Sequence, residues 1–211
     1  MPQSSVAPSK NKTSATTEKG VERTREILTA ARQLFAQQGY AGLSMRKVAA
    51  SVGISLSNVQ HYYPSKDLLI EAVLLMTMNS FQEKINLIHQ NVEQTGRLER
   101  LYSTIDMFLE ELSDPVTYGL FFEIWALAAR NDFASALMDT MISRERKAIY
   151  KLISGLNPDI SDAEYQIRAS LIVAQIEGLM LFRYHRQTDT REMQAVYAAL
   201  KKSVLNLASV P

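Results

Sequence analysis

The fold of this chain is decided by residues 44–67, SMRKVAASVGISLSNVQHYYPSKD. Apolar side chains recur there at spacings of three and four, at Val48, Ala49 and Val52, which predicts the inner face of a short helix. Gly53 follows, and glycine takes the left-handed conformation of a helix-ending turn at little cost. The stretch therefore predicts a helix that stops at a tight turn.

A second short helix follows the turn. Ser55 is a suitable N-cap, and Val59 and Tyr62 extend an inward face that small Ala49 allows the first helix to approach closely. Two short helices joined in this way form a helix-turn-helix, whose second helix enters the major groove of DNA. A plain helical hairpin with a polar outer face is the alternative. We expect the base-reading side chains to be Ser55, Leu56, Ser57, Asn58, Gln60 and His61.

Side chains around this motif are suited to binding DNA phosphates. Thr24 and Arg25 fall in the predicted opening turn of the first helix, where free N–H groups and the helix dipole favour an anion. Ser44 caps the next helix, with Arg46 beside it. Lys66 begins a helix directly after the recognition helix, so its ammonium and the dipole both favour a phosphate.

The sequence on both sides of the motif resembles a known family. Over about residues 22–75 the chain resembles the N-terminal domain of the TetR family of bacterial transcriptional regulators. It departs from the family at Ser57, Gln60 and Tyr62–Tyr63, where the family often has Gly, Tyr and His-Phe. The resemblance implies a phosphate contact near residues 60–62, for which we name Tyr62. It rests on Ile27, Leu28, Ala30, Ala31, Leu34, Phe35, Gly39, Tyr40, Ser44, Val48, Ala49, Gly53, Ile54, Ser55, Tyr62, Tyr63, Lys66 and Leu69.

Composition fits a helical protein that works in the cytosol. Of 211 residues, 46% are hydrophobic and none is Cys, which excludes disulfides and thiolate chemistry. The longest apolar run, residues 169–182, is interrupted by Gln175 and Glu177, so we predict no membrane span. The N-terminus lacks the apolar segment of a secretory signal, so we expect a cytoplasmic protein.

The net charge of +1 conceals an uneven distribution. Through residue 66 there are nine Lys and Arg and three Glu, a net charge of +6, and the remainder is −5. A basic N-terminal third is suited to a polyanion such as double-stranded DNA. Uneven surface charge without a function is the alternative.

Helical periodicity continues through the rest of the chain, and no stretch alternates like a strand with hairpin turns. We therefore predict an all-α fold. Residues 1–20 are polar and predicted to be a disordered tail, residues 21–67 a helix-turn-helix domain, and residues 68–211 a helical regulatory and dimerisation domain. A long helix from Ser65 toward Glu93 would extend roughly 40 Å between the two domains.

The last two predicted helices are a candidate dimer surface. Ala174 and Gly178 permit close approach, and neighbouring apolar side chains supply area. The family resemblance implies a four-helix bundle made by two such helices from each of two protomers. Burial inside one protomer is the alternative for about half of these residues. The candidates are Ile167, Leu171, Ala174, Gly178, Val196, Leu200 and Val204.

The resemblance also implies a small-molecule inducer pocket in the C-terminal domain. Aromatic side chains and methionines at helical spacing are equally compatible with an ordinary core. Residues 121–150 and 177–179 loosely resemble the choline-responsive regulators of betaine synthesis, and Trp125 is suited to a cation–π contact with a quaternary amine. The pocket candidates are Tyr102, Phe108, Phe121, Trp125, Met141 and Glu177.

The sequence does not support a catalytic function. His61, His89 and His185 lack metal-ligand spacing, and HExxH, P-loop and nucleophile-elbow patterns are absent. We expect no catalytic residues, no metal and no cofactor. The prediction is a homodimeric repressor that a small-molecule inducer releases from a near-palindromic operator. The alternatives are a regulator of the same fold controlled by protein partners, and a helical adaptor that does not bind DNA.

Overall fold

The computed structural model describes residues 11–91, 96–111, 113–184 and 190–210. Nine α-helices and no strand occupy these described residues, which confirms the predicted all-α fold. The helices are α1 (Asn11–Gly42), α2 (Met45–Val52), α3 (Leu56–Tyr62), α4 (Lys66–Asn91), α5 (Arg97–Glu111), α6 (Pro115–Ala128), α7 (Asp132–Ile153), α8 (Asp162–Tyr184) and α9 (Thr190–Ser209).

The helix-turn-helix forms where the local sequence predicts it. Ser44 caps α2 by accepting a hydrogen bond from Lys47 N at 3.2 Å, and Ser55 caps α3 by accepting one from Asn58 N at 3.2 Å. Between them Gly53 has φ 70°, the left-handed conformation. Val59, on the inner face of α3, is fully buried. These local signals fix the position of the recognition helix, α3.

Helix α1 begins earlier than the sequence suggested. Residues 11–20 of the predicted tail are helical, and residues 1–10 lie outside the described part of the chain. Helix propagation adds one backbone hydrogen bond for each further residue once a helix has formed, so this polar stretch extends the apolar-faced helix in the N-terminal direction. The end of α1 agrees better with prediction, because Gly39 breaks the helical geometry with φ 67°.

Helix α4 joins the N-terminal helices to the larger helical domain. Ser65 Oγ accepts a hydrogen bond from Leu68 N at 3.2 Å at its start, as an N-cap does. The helix is 26 residues long and contributes buried Leu69 and Val73 to the N-terminal core and Phe81 to the C-terminal core. It therefore crosses the boundary predicted at residues 67 and 68.

The C-terminal domain is a layered set of packed helices. Helix α7 is its centre and packs against α4, α5, α6 and α8. Helices α8 and α9 pack together, and Arg168 fastens them by donating to the backbone carbonyls of Leu207 and Val210 while pairing with Glu164. None of the helices in the described part of the chain combines the length and apolar character of a membrane span.

The candidate dimer residues divide between the surface and the core. On α8, Ile167 and Leu171 are 57% and 48% exposed, and Ala174 and Gly178 extend the same exposed stripe. On α9, Leu200 and Val204 are buried inside the protomer and Val196 is half-buried. Leu200 and Val204 are therefore core residues here, because α9 turns its larger apolar side chains toward α5 and α8. The outward face of α9 is instead formed by Ala195, Ala199, Lys202 and Asn206.

Candidate functional site

The outer face of α3 is polar and open. Its predicted base-reading residues are exposed, apart from Leu56, which is half-buried. Ser55 Oγ and Ser57 Oγ lie 2.9 Å apart at the start of the helix. Buried Val59 holds the opposite face against the domain core. The structure thus presents hydrogen-bonding side chains on a rigidly supported short helix, the arrangement that base readout in a major groove requires.

Two of the predicted phosphate contacts occupy different surroundings from those expected. Because α1 starts at Asn11, Thr24 and Arg25 lie well inside the helix rather than in its opening turn. Thr24 Oγ1 donates to Gly20 O at 2.9 Å, and Arg25 pairs with Glu22 at 3.7 Å. The free N–H groups and dipole end that motivated this pair are therefore absent at their positions.

The other predicted phosphate residues surround α3. Arg46 is exposed, and Ser44 and Tyr62 are half-buried. The Tyr62 ring contacts His61 edge to face, with centroids 5.4 Å apart. The phosphate contacts of these three side chains stay predictions.

Lys66 has an internal role that the sequence did not indicate. Its ammonium donates to Tyr40 O at 2.6 Å and to Leu43 O at 3.2 Å, and it lies 3.7 Å from the centroid of the Tyr40 ring. The Tyr40 hydroxyl in turn donates to Asp67 Oδ1 at 2.8 Å. Desolvation lowers the pKa of Lys66. Lys66 thus ties the start of α4 to the end of α1, and this link positions α3 between them.

A second candidate site lies inside the C-terminal domain. A groove of about 380 Å³ is bordered by α4, α5 and α7, and it continues into a much smaller chamber of about 10 Å³, room for a single water molecule. Phe81, Phe108 and Glu145 line both spaces. The volume of the groove falls within the range of small-molecule sites.

Aromatic rings from three helices form the wall of the chamber. Phe81 of α4 stacks on Phe121 of α6 with centroids 5.8 Å apart, and it meets Phe108 of α5 edge to face at 5.9 Å. Ile149, Val173 and Ile176 complete an otherwise apolar lining.

Five of the six predicted pocket residues come together here. Phe108, Phe121 and Glu177 line the chamber, and Met141 lines the groove. Trp125 is 36% exposed and donates from Nε1 to Glu177 Oε2 at 3.1 Å. Tyr102 lies on α5 but lines neither space.

Sequence reasoning missed Phe81 and Glu145. Glu145 lies four residues after Met141 and four before Ile149, both buried on the inner face of α7. A carboxylate at an apolar position of an amphipathic helix was the signal that could have identified it.

Helix α6 connects the chamber to the DNA-binding helices. It packs more extensively on α1 than any other helix does. Gly119 allows this approach, because a Cβ there would lie 2.9 Å from Ala36 O. The Arg32 guanidinium donates to Thr117 Oγ1 at 2.6 Å and pairs with Asp114 at 3.2 Å.

A second polar link joins α6 to the end of α1. Glu123 Oε2 accepts a hydrogen bond from Tyr40 N at 3.3 Å, just after the break at Gly39. Any side chain at residue 39 would collide with this carboxylate, because an added Cβ would lie 2.5 Å from Glu123 Oε2. One helix therefore contacts both candidate sites, with Phe121 on the chamber and Glu123 on the DNA-binding domain.

A helix-turn-helix with an exposed polar recognition helix, joined by one helix to a separate cavity-bearing domain, defines a DNA-binding transcriptional regulator. Residues 27–73 match the family model of bacterial regulatory proteins, tetR family. Residues 27–73 therefore form a DNA-binding domain of the TetR family.

Individual relatives agree with this assignment. An uncharacterised HTH-type transcriptional regulator from Xanthobacter autotrophicus is 28% identical over 164 residues, 74% of this chain and 77% of that protein. Salmonella enterica GusR has a similar fold, with a TM-score of 0.70, 20% identity, and coverage of 89% of this chain and 96% of that one. A transcriptional regulator from Saccharomonospora viridis, solved in complex with choline, has a TM-score of 0.65 at 18% identity and covers 88% and 95%.

Proposed function

We propose that this regulator is a homodimeric repressor that leaves a near-palindromic operator when a small molecule enters the groove and chamber of its C-terminal domain. The observation that supports this proposal best is α6, which contacts the chamber through Phe121 and the DNA-binding domain through Gly119 and Glu123. A ligand that displaces Phe121 changes the packing of α6 on α1, and with it the position of α3.

The exposed stripe on α8 supports the homodimer. Two large apolar side chains, Ile167 and Leu171, lie in line with Ala174 and Gly178, which allow another helix close approach. Pairing this stripe and the outward face of α9 with their copies makes a four-helix bundle. The two recognition helices then read half-sites about 34 Å apart.

The dimer is tested by changing charge on this stripe. Leu171→Glu places a carboxylate in the proposed interface, and we expect a monomer by light scattering after size exclusion. Leu87→Glu is the matched control, because Leu87 is 56% exposed on α4 and outside the stripe. A dimer that persists in Leu171→Glu at micromolar concentration would refute this interface.

DNA binding is tested by a gel shift with the DNA upstream of the protein's own gene. We expect retardation at moderate salt that weakens steeply as salt rises, because phosphate contacts release counterions. Arg46→Ala lowers affinity for every duplex, whereas Arg146→Ala, an equally exposed arginine on α7, leaves it unchanged. Equal affinity for the upstream region and for random duplex would contradict a specific repressor.

The location of the protein and its lack of catalytic activity are proposed from its role as a DNA-binding regulator. We place the protein in the cytoplasm, with its DNA, and we assign it no catalytic activity. The relatives that support this view are regulators rather than enzymes.

A further inference from the structure

Two carboxyl groups meet inside the C-terminal domain. Glu145 of α7 and Glu177 of α8 both line the chamber, and their carboxyl groups are close enough to share a hydrogen bond. Both residues retain some surface, but their carboxyl groups are packed among protein atoms. Within the described residues, no Lys, Arg or His forms an ion pair with either one.

The surroundings of the two carboxyl groups favour the protonated form. Burial raises the pKa of Glu145 well above its ordinary range, and the nearby Glu177 raises it further. Burial also raises the pKa of Glu177, although hydrogen bonds from Trp125 and Glu145 oppose this effect. Because the two carboxyl groups interact, they titrate as a pair, and the pair binds a proton more tightly than an exposed glutamate does.

Two neighbouring buried carboxyl groups destabilise a protein core. Apolar side chains of similar size would fill the same space without the cost of dehydrating two carboxyl groups. All other residues that line the chamber are apolar. A buried acidic pair without a counter-charge in such surroundings indicates a site that is completed by something else.

The surroundings define the chemistry of the missing partner. It must be positively charged to compensate the carboxylates, and the aromatic rings of Phe81 and Phe108, which line both spaces, favour a cation as well. A hard metal ion needs about six oxygen ligands, which two carboxyl groups among aliphatic and aromatic side chains do not supply. An organic ammonium matches both the charge and the apolar walls.

We propose that the ligand of this domain is an organic monocation whose ammonium group binds at Glu145, beside Phe81 and Phe108. This inference rests on the proposed ligand-responsive function and names the class of its effector. The groove of about 380 Å³ holds the ligand, and its ammonium group lies at the wall shared with the chamber, which Glu145, Phe81 and Phe108 form.

The rim of the groove limits what else the ligand can carry. Arg144, Lys147 and Lys151 line it and are exposed, and Arg144 also donates to Asn79 Oδ1 at 3.3 Å. Three cations at the mouth disfavour a second positive charge on the ligand. The part of the ligand that lies at the mouth of the groove is therefore neutral or anionic.

The test uses the single tryptophan of the full-length protein. Trp125 is hydrogen-bonded to Glu177, so its fluorescence reports on the chamber. The probes are choline and benzyltrimethylammonium, each compared with the neutral compound that has carbon in place of nitrogen, 3,3-dimethylbutan-1-ol in the case of choline. We expect at least one cation to bind about tenfold or more tightly than its neutral counterpart.

Variants locate the cation. Glu145→Gln keeps a hydrogen-bond donor toward Glu177 but removes the charge, and we expect the preference for cations to fall to about twofold or less. Asp139→Asn, an exposed residue on the same helix, leaves the preference unchanged. Neutral compounds that bind as well as cations, a preference that survives in Glu145→Gln, or tighter binding of Mg²⁺ than of either ammonium would each overturn the proposal. The wild-type comparison of cation with neutral isostere needs no variant to fold. A gel shift without ligand reports separately on the proposed DNA-binding function.

Discussion

Replacing Glu145 should change how the stability of this protein depends on pH. The pKa of Glu145 is raised above its ordinary value of 4.5 in the folded state, mainly by burial and then by Glu177. The folded protein therefore binds this proton more tightly than the unfolded chain does. Its contribution to stability is complete below pH 4.5 and is lost as the pH rises through the folded-state pKa.

The magnitude follows from one proton. In the window between the two pKa values, linkage to a single group changes the free energy of unfolding by about 1.4 kcal/mol per pH unit. Glu145→Gln cannot take part in this titration, yet it still donates to Glu177. As the pH rises above 4.5, we expect the wild type to lose free energy of unfolding relative to Glu145→Gln, by up to this amount per pH unit. The difference between the two proteins should become constant once the wild-type pair has released its proton.

Urea unfolding at pH 5, 6, 7 and 8 and constant ionic strength measures this difference, because the other titrating groups are common to both proteins. Asp139→Asn is the matched control, and its curve should run parallel to that of the wild type. Parallel curves for wild type and Glu145→Gln would refute the buried, shared proton.

Four further substitutions test other parts of the molecule. Asn58→Ala should alter the preferred operator sequence. Lys66→Ala should weaken binding to all duplexes, because the substitution loosens the contact of α4 with α1. Competition gel shifts distinguish a changed sequence preference from a uniform loss of affinity. Asp114→Ala removes the N-cap of α6 and its contact with α1, and should lower the free energy of unfolding by about 1–2 kcal/mol in urea titrations. Gly119→Val should lower operator affinity, because the valine side chain pushes α1 away from α6, while circular dichroism shows that the helix content is retained. Gly20→Ala is the control, because the space around Gly20 is open, and it should change neither operator affinity nor helix content.

Local signals accounted for the DNA-binding motif. Ser44, Gly53 and Ser55 act within four residues of their own positions, as two caps and a left-handed turn, so their roles could be read from the sequence. Lys66 could not be read in this way, because its hydrogen-bond partners, Tyr40 and Leu43, are more than twenty residues away. The family resemblance located the motif but carried no information about this contact.

The C-terminal domain was predicted less completely for a related reason. Helix α9 has apolar residues on more than one face, and only packing against α5 and α8 shows that Leu200 and Val204 point inward. Glu145 was missed because charged side chains on helices are usually solvent-exposed. Its role depends on Glu177, which approaches from a different helix.

The unbroken length of α4 has a geometric consequence. Phe81 lies fifteen residues after the first residue of this helix, a distance of about 22 Å along the axis. A tilt of about 9° pivoting at the phenylalanine cluster moves the N-terminal end of the helix by about 3.4 Å, the rise of one base pair. A small rotation at the phenylalanine cluster can thus move the start of α4 far enough to lose register with the duplex.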